Sequence, residues 1–300
     1  MFNVYFERRN KIERKPEWLR SKIPAGENYL FISRICRELN LHTVCEEALC
    51  PNISECWGSG TATFMILGSV CTRACRFCNV TPGNPKGIVD YDEPKRVALA
   101  ISKMNLNYIV ITSVDRDDLE DGGASMFAET VKEIKNFNPK IIIELLIPDF
   151  KGNINSLKKV AFSGAEVIGH NIETVRRLTP LVRDPRASYD QSLFVLESLK
   201  KLNPKIYTKS SIIVGFGEKE EEVIETMKDL RKADVDFLTI GQYLRPSRRH
   251  LPVIEYVSPE KFKKYEEIGK SLGFKYVAAG PFVRSSYKAG EFFIASIIRS

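Results

Sequence analysis

From residue 61 onward, short apolar runs alternate with stretches whose apolar positions recur at helical spacing. The runs are TATFMILG (61–68), YIVIT (108–112), KIIIELLIP (140–148), AEVIGHNI (165–172), KIYTKSSIIVGF (205–216) and VDFLTIGQYL (235–244). They are nearly continuous in β-branched and aliphatic residues, as strands buried on both faces of a parallel sheet must be. The intervening stretches are amphipathic: DEPKRVALAISKMN, SMFAETVKEIKNF, NINSLKKVAFSG, SYDQSLFVLESLKKLN and EKEEEVIETMKDLRKA. Several open with Asp, Ser or Asn and close on Gly or Asn, as helix caps require. SPEKFKKYEEIGKSLG (258–273) and FKYVAAG (274–280) add a further helix and strand.

Consecutive βα units imply a parallel sheet with right-handed crossovers. No G-x-G-x-x-G follows the first strand, which weakens a dinucleotide-binding reading. A full or partial (β/α) barrel fits better, and its site belongs at the C-terminal strand ends. Polar and cysteine-rich segments fall there: Cys71 to Cys78 after the first strand, TSVDRDD after the second, HNIETV after the fourth, GFGE after the fifth and QYLRPS after the sixth. Residues 1–60 carry no βα unit and are rich in charge and cysteine. They are expected to form an N-terminal extension over the mouth of a barrel spanning 61–280, with 281–300 as a C-terminal segment.

Composition changes this picture little. The 300 residues are 43% hydrophobic and 28% charged, with a net charge of +7. No apolar run is long enough to cross a membrane. The N-terminus lacks an h-region and carries acids, so neither a signal nor a transit peptide is expected, and cytoplasm is the default. The basic residues gather in the first 22 positions and in LRPSRRH (244–250). That is no dense stripe interleaved with aromatics, so nucleic acid is not an expected partner.

Cysteine changes it most. Six of seven cysteines lie between residues 45 and 78, as two trios: Cys45, Cys50, Cys56 and Cys71, Cys75, Cys78. In a reducing compartment such bunching favours metal or catalysis over disulfides. Structural zinc takes four ligands, commonly from paired knuckles, and only Cys75 and Cys78 resemble one. A [4Fe–4S] cube held by three thiolates would leave one iron open to something else. Cys36, in the helix-like FISRICRELNL, reads as a small buried hydrophobe.

The spacing C-x₃-C-x₂-C, as Cys71, Cys75 and Cys78 after the first barrel strand, resembles the radical S-adenosylmethionine (SAM) enzymes. The resemblance implies a partial (β/α)6-type TIM barrel with N-terminal and C-terminal extensions. It also implies a cluster whose open iron chelates S-adenosyl-L-methionine and cleaves it to a 5′-deoxyadenosyl radical, with Phe77 beside the adenine. C-x₄-C-x₅-C, as Cys45, Cys50 and Cys56, together with RSSY (284–287), is similar to the lipoyl synthases. So are RKPEWLRSKIP, CEEALCPNISECW, TSVDRDDLEDGGA, HNIETVRRL, GQYLRPSRRHLPV and GPFVRSSY, which span nearly the whole chain. This resemblance implies a second, auxiliary [4Fe–4S] cluster on the first trio with Ser286 as fourth ligand; Ser285 is the adjacent competitor. The implied reaction inserts two sulfurs at C6 and C8 of an octanoyl chain carried on a protein lysine, with the auxiliary cluster as sulfur donor. Implied partners are an octanoylated lipoyl-carrier domain, an electron donor such as ferredoxin or flavodoxin, and an iron–sulfur carrier that rebuilds the cluster. Ser69, Arg245 and Met126 stand where the family often has aspartate, glutamine and histidine. Another sulfur-inserting or methylthiolating radical SAM enzyme is the enzymatic rival, and a non-catalytic metal-binding module the other alternative.

Asn171 and Glu173 match family positions near S-adenosyl-L-methionine, although Asn171 also suits a helix cap. Arg183 could grip the methionine carboxylate, since guanidinium binds carboxylates bidentately. Thr112, Ser113 and Asp115 suit a ligand ammonium group, but a polar βα loop looks much the same. The glycines of VGFGE (214–218) allow either close approach to adenosine or a sharp turn. His170 and His250 read as structural. Arg284 and the cluster Arg245, Arg248 and Arg249 could meet an acidic carrier domain; for all but Arg284 a solvated face is the first reading.

Overall fold

The computed structural model describes residues 14–19, 26–286 and 288–299. The basic residues of 1–13 and 20–25, and Tyr287 of the RSSY motif, lie outside the described residues. In chain order, β1 (His42–Thr43) pairs antiparallel with β2 (Thr63–Ile66), and a small parallel pair, β3 (Val70–Cys71) and β4 (Thr81–Pro82), follows. Then come β5 (Tyr108–Ser113), β6 (Ile142–Leu146), β7 (Val167–Gly169), β8 (Tyr207–Val214), β9 (Phe237–Gln242) and β10 (Tyr276–Gly280). The main sheet runs β1-β2-β5-β6-β7-β8-β9-β10, parallel from β2 onward. Sequential order with β1 and β10 at the two ends is an open, partial (β/α) barrel of the expected kind.

Each predicted apolar run contains one of these strands, and each predicted helix is present: Glu93–Met104, Ala124–Phe137, Ile154–Ala161, Tyr189–Leu202, Glu220–Lys232 and Pro259–Ser271. Caps follow the sequence where a hydroxyl or amide is available. Asn153, Ser188 and Ser258 each accept a hydrogen bond from a first-turn N–H, which satisfies donors that have no intrahelical partner. Three features were not in the apolar pattern: the two-residue edge strand β1, the β3–β4 pair, and a C-terminal helix, Lys288–Arg299.

On β5 and β6 the residues divide by alternation. Ile109, Ile111, Ile143 and Leu145 face outward into a core shared with Val97, Phe127 and Ile134 of the surrounding helices. Trp57 and Ile32 of the N-terminal extension belong to the same core, so this extension is packed onto the barrel rather than standing apart. Tyr108, Val110, Ile142, Val167 and Phe237 face inward and form a second cluster closed by Ile294 of the C-terminal helix. Among them Lys209 Nζ donates to both Glu144 oxygens at 2.8 Å, and Tyr108 Oη donates to Glu144 Oε2 at 2.5 Å. Both charged groups are almost fully enclosed, so each depends on the other for its solvation. Lys209→Met is expected to leave Glu144 buried without a counter-charge and to cost about 3–5 kcal/mol in urea denaturation. Lys209→Met with Glu144→Leu is expected to recover most of that loss.

Candidate functional site

At the C-terminal ends of the strands lies a cavity of about 340 Å³. Its lining includes Cys45, Cys50 and Cys56 of the first trio, Cys78 of the second, Phe77, Asn171 and Glu173 from the barrel, and Arg284, Ser285 and Ser286 from the C-terminal segment. Residues more than two hundred positions apart thus border one space.

The first trio is held by short helices. Cys45 sits in Val44–Glu47, whose start is capped by Thr43 Oγ1 accepting from the Glu46 N–H at 3.3 Å. Cys56 sits in Ile53–Gly58, and Cys50 lies in the loop between them. Backbone N–H groups point at two of the sulfurs: that of Thr63 at Cys45 and that of Asn52 at Cys50. Burial pushes the Cys45 thiol up to about 11 and raises that of Cys50, with Arg284 beside Cys50 acting in the opposite sense. The C-terminal segment is fastened to this loop by one buried side chain, since Asn52 Nδ2 donates to the Phe282 carbonyl at 2.6 Å. On the barrel side the segment lies directly on Gly241 of β9. A Cβ at Gly241 would stand 2.0 Å from the Val283 carbonyl oxygen, so only glycine lets Ser285 and Ser286 come this close to the mouth.

The second trio begins on β3. Thr72 N donates to the Asp115 carbonyl at 2.9 Å, and the buried Arg73 bridges Asp117 and Asp149 at 2.6 to 3.0 Å. These bonds fix the loop against the ends of β5 and β6. Here too main-chain donors address the sulfurs: Arg73 N to Cys71 Sγ at 3.4 Å and Asp184 N to Cys75 Sγ at 3.3 Å, with the Val80 N–H at Cys78. Burial pushes Cys75 up to about 12 and Cys78 to about 11. Asp115, next to Cys71, is raised to about 6 by burial, opposed by Arg73. Asn79 Nδ2 donates to the Glu47 carbonyl at 2.9 Å and so ties the two cysteine loops to each other. Among the described residues, no three His, Cys, Asp or Glu side chains are grouped as a single ion would need. A four-iron cube is a wider body, and its thiolates stand further apart.

The remaining predicted contacts separate into two sets. Phe77, Asn171 and Glu173 line the cavity. Glu173 is held at φ +67° by backbone bonds to Ser211 and Ile213, and its Oε2 is buried with no hydrogen-bond partner. Burial raises its carboxyl, with Arg183 and the Asn171 side chain opposing. A buried acceptor without a donor, on a residue that lines a cavity, is matched to a ligand that brings one. With the N–H groups aimed at the sulfurs, it makes these residues fit a thiolate-held cluster and an amine-bearing ligand. Thr112, Ser113 and Arg183 do not line the cavity. Thr112 Oγ1 donates to the Leu146 carbonyl, Ser113 Oγ to that of Val114, and Arg183 Nη1 to Ser192 Oγ at 2.7 Å. Arg183 still lies near enough to Cys75, Asp115 and Glu173 to shift each of them. Gly215 serves a turn: at φ +119° a Cβ there would stand 2.3 Å from Gln242 Nε2, and Glu218 accepts the N–H groups of Gly215 and Phe216. His170 is buried between the Ile147 carbonyl and Ser192, and burial pulls it down to about 4. His250 Nε2 contacts the Cys78 carbonyl at 2.9 Å.

Asn52, Asn79, Gly241 and Asp184 carry no motif of their own, because each matters only through a partner distant in sequence. Asn52→Leu keeps the volume and removes the donor. It is expected to speed amide hydrogen exchange in residues 281–286 of the metal-free protein by about tenfold, the equivalent of one hydrogen bond. Unchanged exchange there would mean that the segment is held by other contacts.

Comparison with known proteins agrees with this geometry. The family model of the radical SAM superfamily matches residues 65–230, and that of the N-terminal domain of lipoyl synthase matches residues 3–50. The lipoyl synthase of Thermus thermophilus is 57% identical over 95% of this chain and 88% of its own length. The mitochondrial lipoyl synthase of Homo sapiens is 54% identical over 95% of this chain and 78% of its own. Among solved structures, methylornithine synthase superposes with a TM-score of 0.53 at 14% identity, covering 89% of this chain and 82% of that one. The FeFe-hydrogenase maturase of Carboxydothermus hydrogenoformans gives 0.54 at 15%, covering 88% and 78%. These two speak for the fold alone. The level of identity and the matched cysteine segments place this chain in the lipoyl synthase family, whose members are sulfur-inserting radical SAM enzymes.

Proposed function

We propose that this protein inserts two sulfur atoms, at C6 and C8, into an octanoyl chain borne on a lysine of a lipoyl-carrier domain. The observation that carries this reading is one cavity bordered by all three cysteines of the first trio, by Cys78 of the second, and by Ser285 and Ser286. Cys71, Cys75 and Cys78 would hold the cluster that binds S-adenosyl-L-methionine, and Cys45, Cys50, Cys56 and Ser286 an auxiliary [4Fe–4S] cluster. When bound, these groups supply the electron, the hydrogen-abstracting radical and the sulfur. The division of labour along the chain follows: residues 1–60 bring the auxiliary thiols, 61–280 the barrel, and 281–300 the serine and the helix that closes the interior.

The protein's own part is to bind, orient and keep dry. Glu173 would accept from the ligand's ammonium or hydroxyl groups, a role supported by its partnerless Oε2 and by the Asn171 side chain that holds the carboxylate. Phe77 meets Phe216 edge-on at 6.5 Å and gives the cavity an apolar wall suited to a flat base. Val44, Ala48 and Leu49 provide the apolar surface an acyl chain needs. Arg284 Nη1 is occupied by the Val283 and Pro281 carbonyls, so it stiffens the turn before Ser286 and places a positive charge beside Cys50. Ser286, an oxygen among thiolates, would be the weakest of its iron's ligands.

Anaerobic reconstitution is expected to load about eight irons per chain, and mass spectrometry of an octanoylated carrier peptide to show a gain of two sulfurs. One cluster's worth of iron would remove the auxiliary cluster from this account. Ser286→Cys is expected to keep the iron but slow sulfur transfer by about tenfold or more, because thiolate releases iron less readily than alkoxide. Transfer at the unaltered rate would refute that role.

A further inference from the structure

Most arginines of the barrel are neutralised in place. Arg73, Arg96, Arg116, Arg176, Arg177, Arg186 and Arg231 each pair with a carboxylate. Three exposed arginines of the barrel do not follow this pattern: among the described residues no carboxylate pairs with Arg76, Arg248 or Arg249. They are gathered in one place. Arg76 lies inside the second cysteine loop, between Cys75 and Cys78, and its carbonyl accepts from Leu251 N at 3.2 Å. Arg248 and Arg249 ride on the turn just before that residue. The turn is fixed by His250 N to the Ser247 carbonyl at 3.1 Å and by Ser247 Oγ against His250 Nδ1 at 2.9 Å. His250 then joins the turn to the cysteine loop through the Cys78 carbonyl. Arg245 Nη2 donates to the Arg248 carbonyl at 2.6 Å and stiffens the other side. Two stiff, hydrogen-bonded loops thus carry three solvent-facing positive charges directly beside the cysteines.

We infer that Arg76, Arg248 and Arg249 form the docking face for a one-electron-donating protein with an acidic surface, a reduced flavin or iron–sulfur protein. This rests on the reading that Cys71, Cys75 and Cys78 hold a cluster that must be reduced. One electron leaves the donor's reduced centre and enters that cluster; no bond forms or breaks, and the donor departs oxidised by one electron. Placement favours the donor over the acyl carrier. A partner seated on these arginines rests against the loop that holds the cluster, and electron transfer needs that proximity. The exposed lining of the cavity, where an acyl-lysine must enter, comes from Lys15 and Leu49 of the N-terminal extension, while Arg245 and Pro246 at the start of the arginine turn border it only as half-buried residues. Unneutralised arginines at such a face raise the encounter rate with an acidic partner and make it salt-dependent.

The test compares the wild-type protein with Arg248→Glu/Arg249→Glu and with the milder Arg248→Gln/Arg249→Gln. Formation of 5′-deoxyadenosine is measured with dithionite and, separately, with a purified reduced bacterial flavodoxin. Binding of oxidised flavodoxin to the metal-free protein is measured by calorimetry at low and high salt. With dithionite all three proteins are expected to react alike. With flavodoxin the glutamate variant is expected to be at least about tenfold slower at low salt, the glutamine variant intermediate, and binding weakened in the same order. Equal flavodoxin-driven rates and equal binding across the three proteins would overturn the inference. So would a raised KM for an octanoylated carrier domain with flavodoxin behaviour unchanged, which would assign the patch to the carrier. Wild-type protein that forms no 5′-deoxyadenosine even with dithionite would instead sink the cluster reading itself.

Discussion

Two side-chain amides hold the mouth of this barrel together. Asn79 joins the second cysteine loop to the first, and Asn52 joins the first to the C-terminal segment. A parallel strand can aim its last residue at a cavity, but the loop beyond it has no ladder to follow. Here the loops are fastened to one another, and the barrel serves as the frame on which they meet. Gly241 sets the closest approach, because the segment that carries the serines lies against its missing side chain. Loss of either amide would loosen one join of the mouth while the buried core beneath it keeps the cysteine loops on the barrel.

The same region balances burial against charge. Thiols buried this deeply stay protonated, as the upward shifts of Cys45, Cys75 and Cys78 record, so the metal-free site avoids the cost of enclosed anions. A metal bound at these thiols would displace those protons, and its affinity would add to folding stability. Arg73 with Asp117 and Asp149, and Lys209 with Glu144, are permanent pairs by comparison; they fix geometry beneath and beside the mouth and have no vacancy to offer.

The barrel was legible because its strands are buried on both faces and its helices on one, so each element carries its own signature. The cysteines were legible because soft ligands at fixed spacing have few other uses. Asn52 was not: its partner lies 230 residues away, and an asparagine after a proline reads as an ordinary turn. Asn79 has the same difficulty at a separation of 32. A two-residue strand such as β1 is too short to show any period, and it forms because β2 offers it an edge. Thr112 and Ser113 illustrate the converse. Hydroxyls at a strand end suit a ligand, yet both are spent on neighbouring carbonyls, a choice that only tertiary structure makes.

The donors aimed at the sulfurs belong to the main chain, at Thr63, Asn52, Arg73, Asp184 and Val80. Their presence is therefore inherited with the path of the backbone and is indifferent to which side chain occupies those positions, proline excepted. Evolution can rewrite the side chains around the mouth while the donors that face the sulfurs stay where they were.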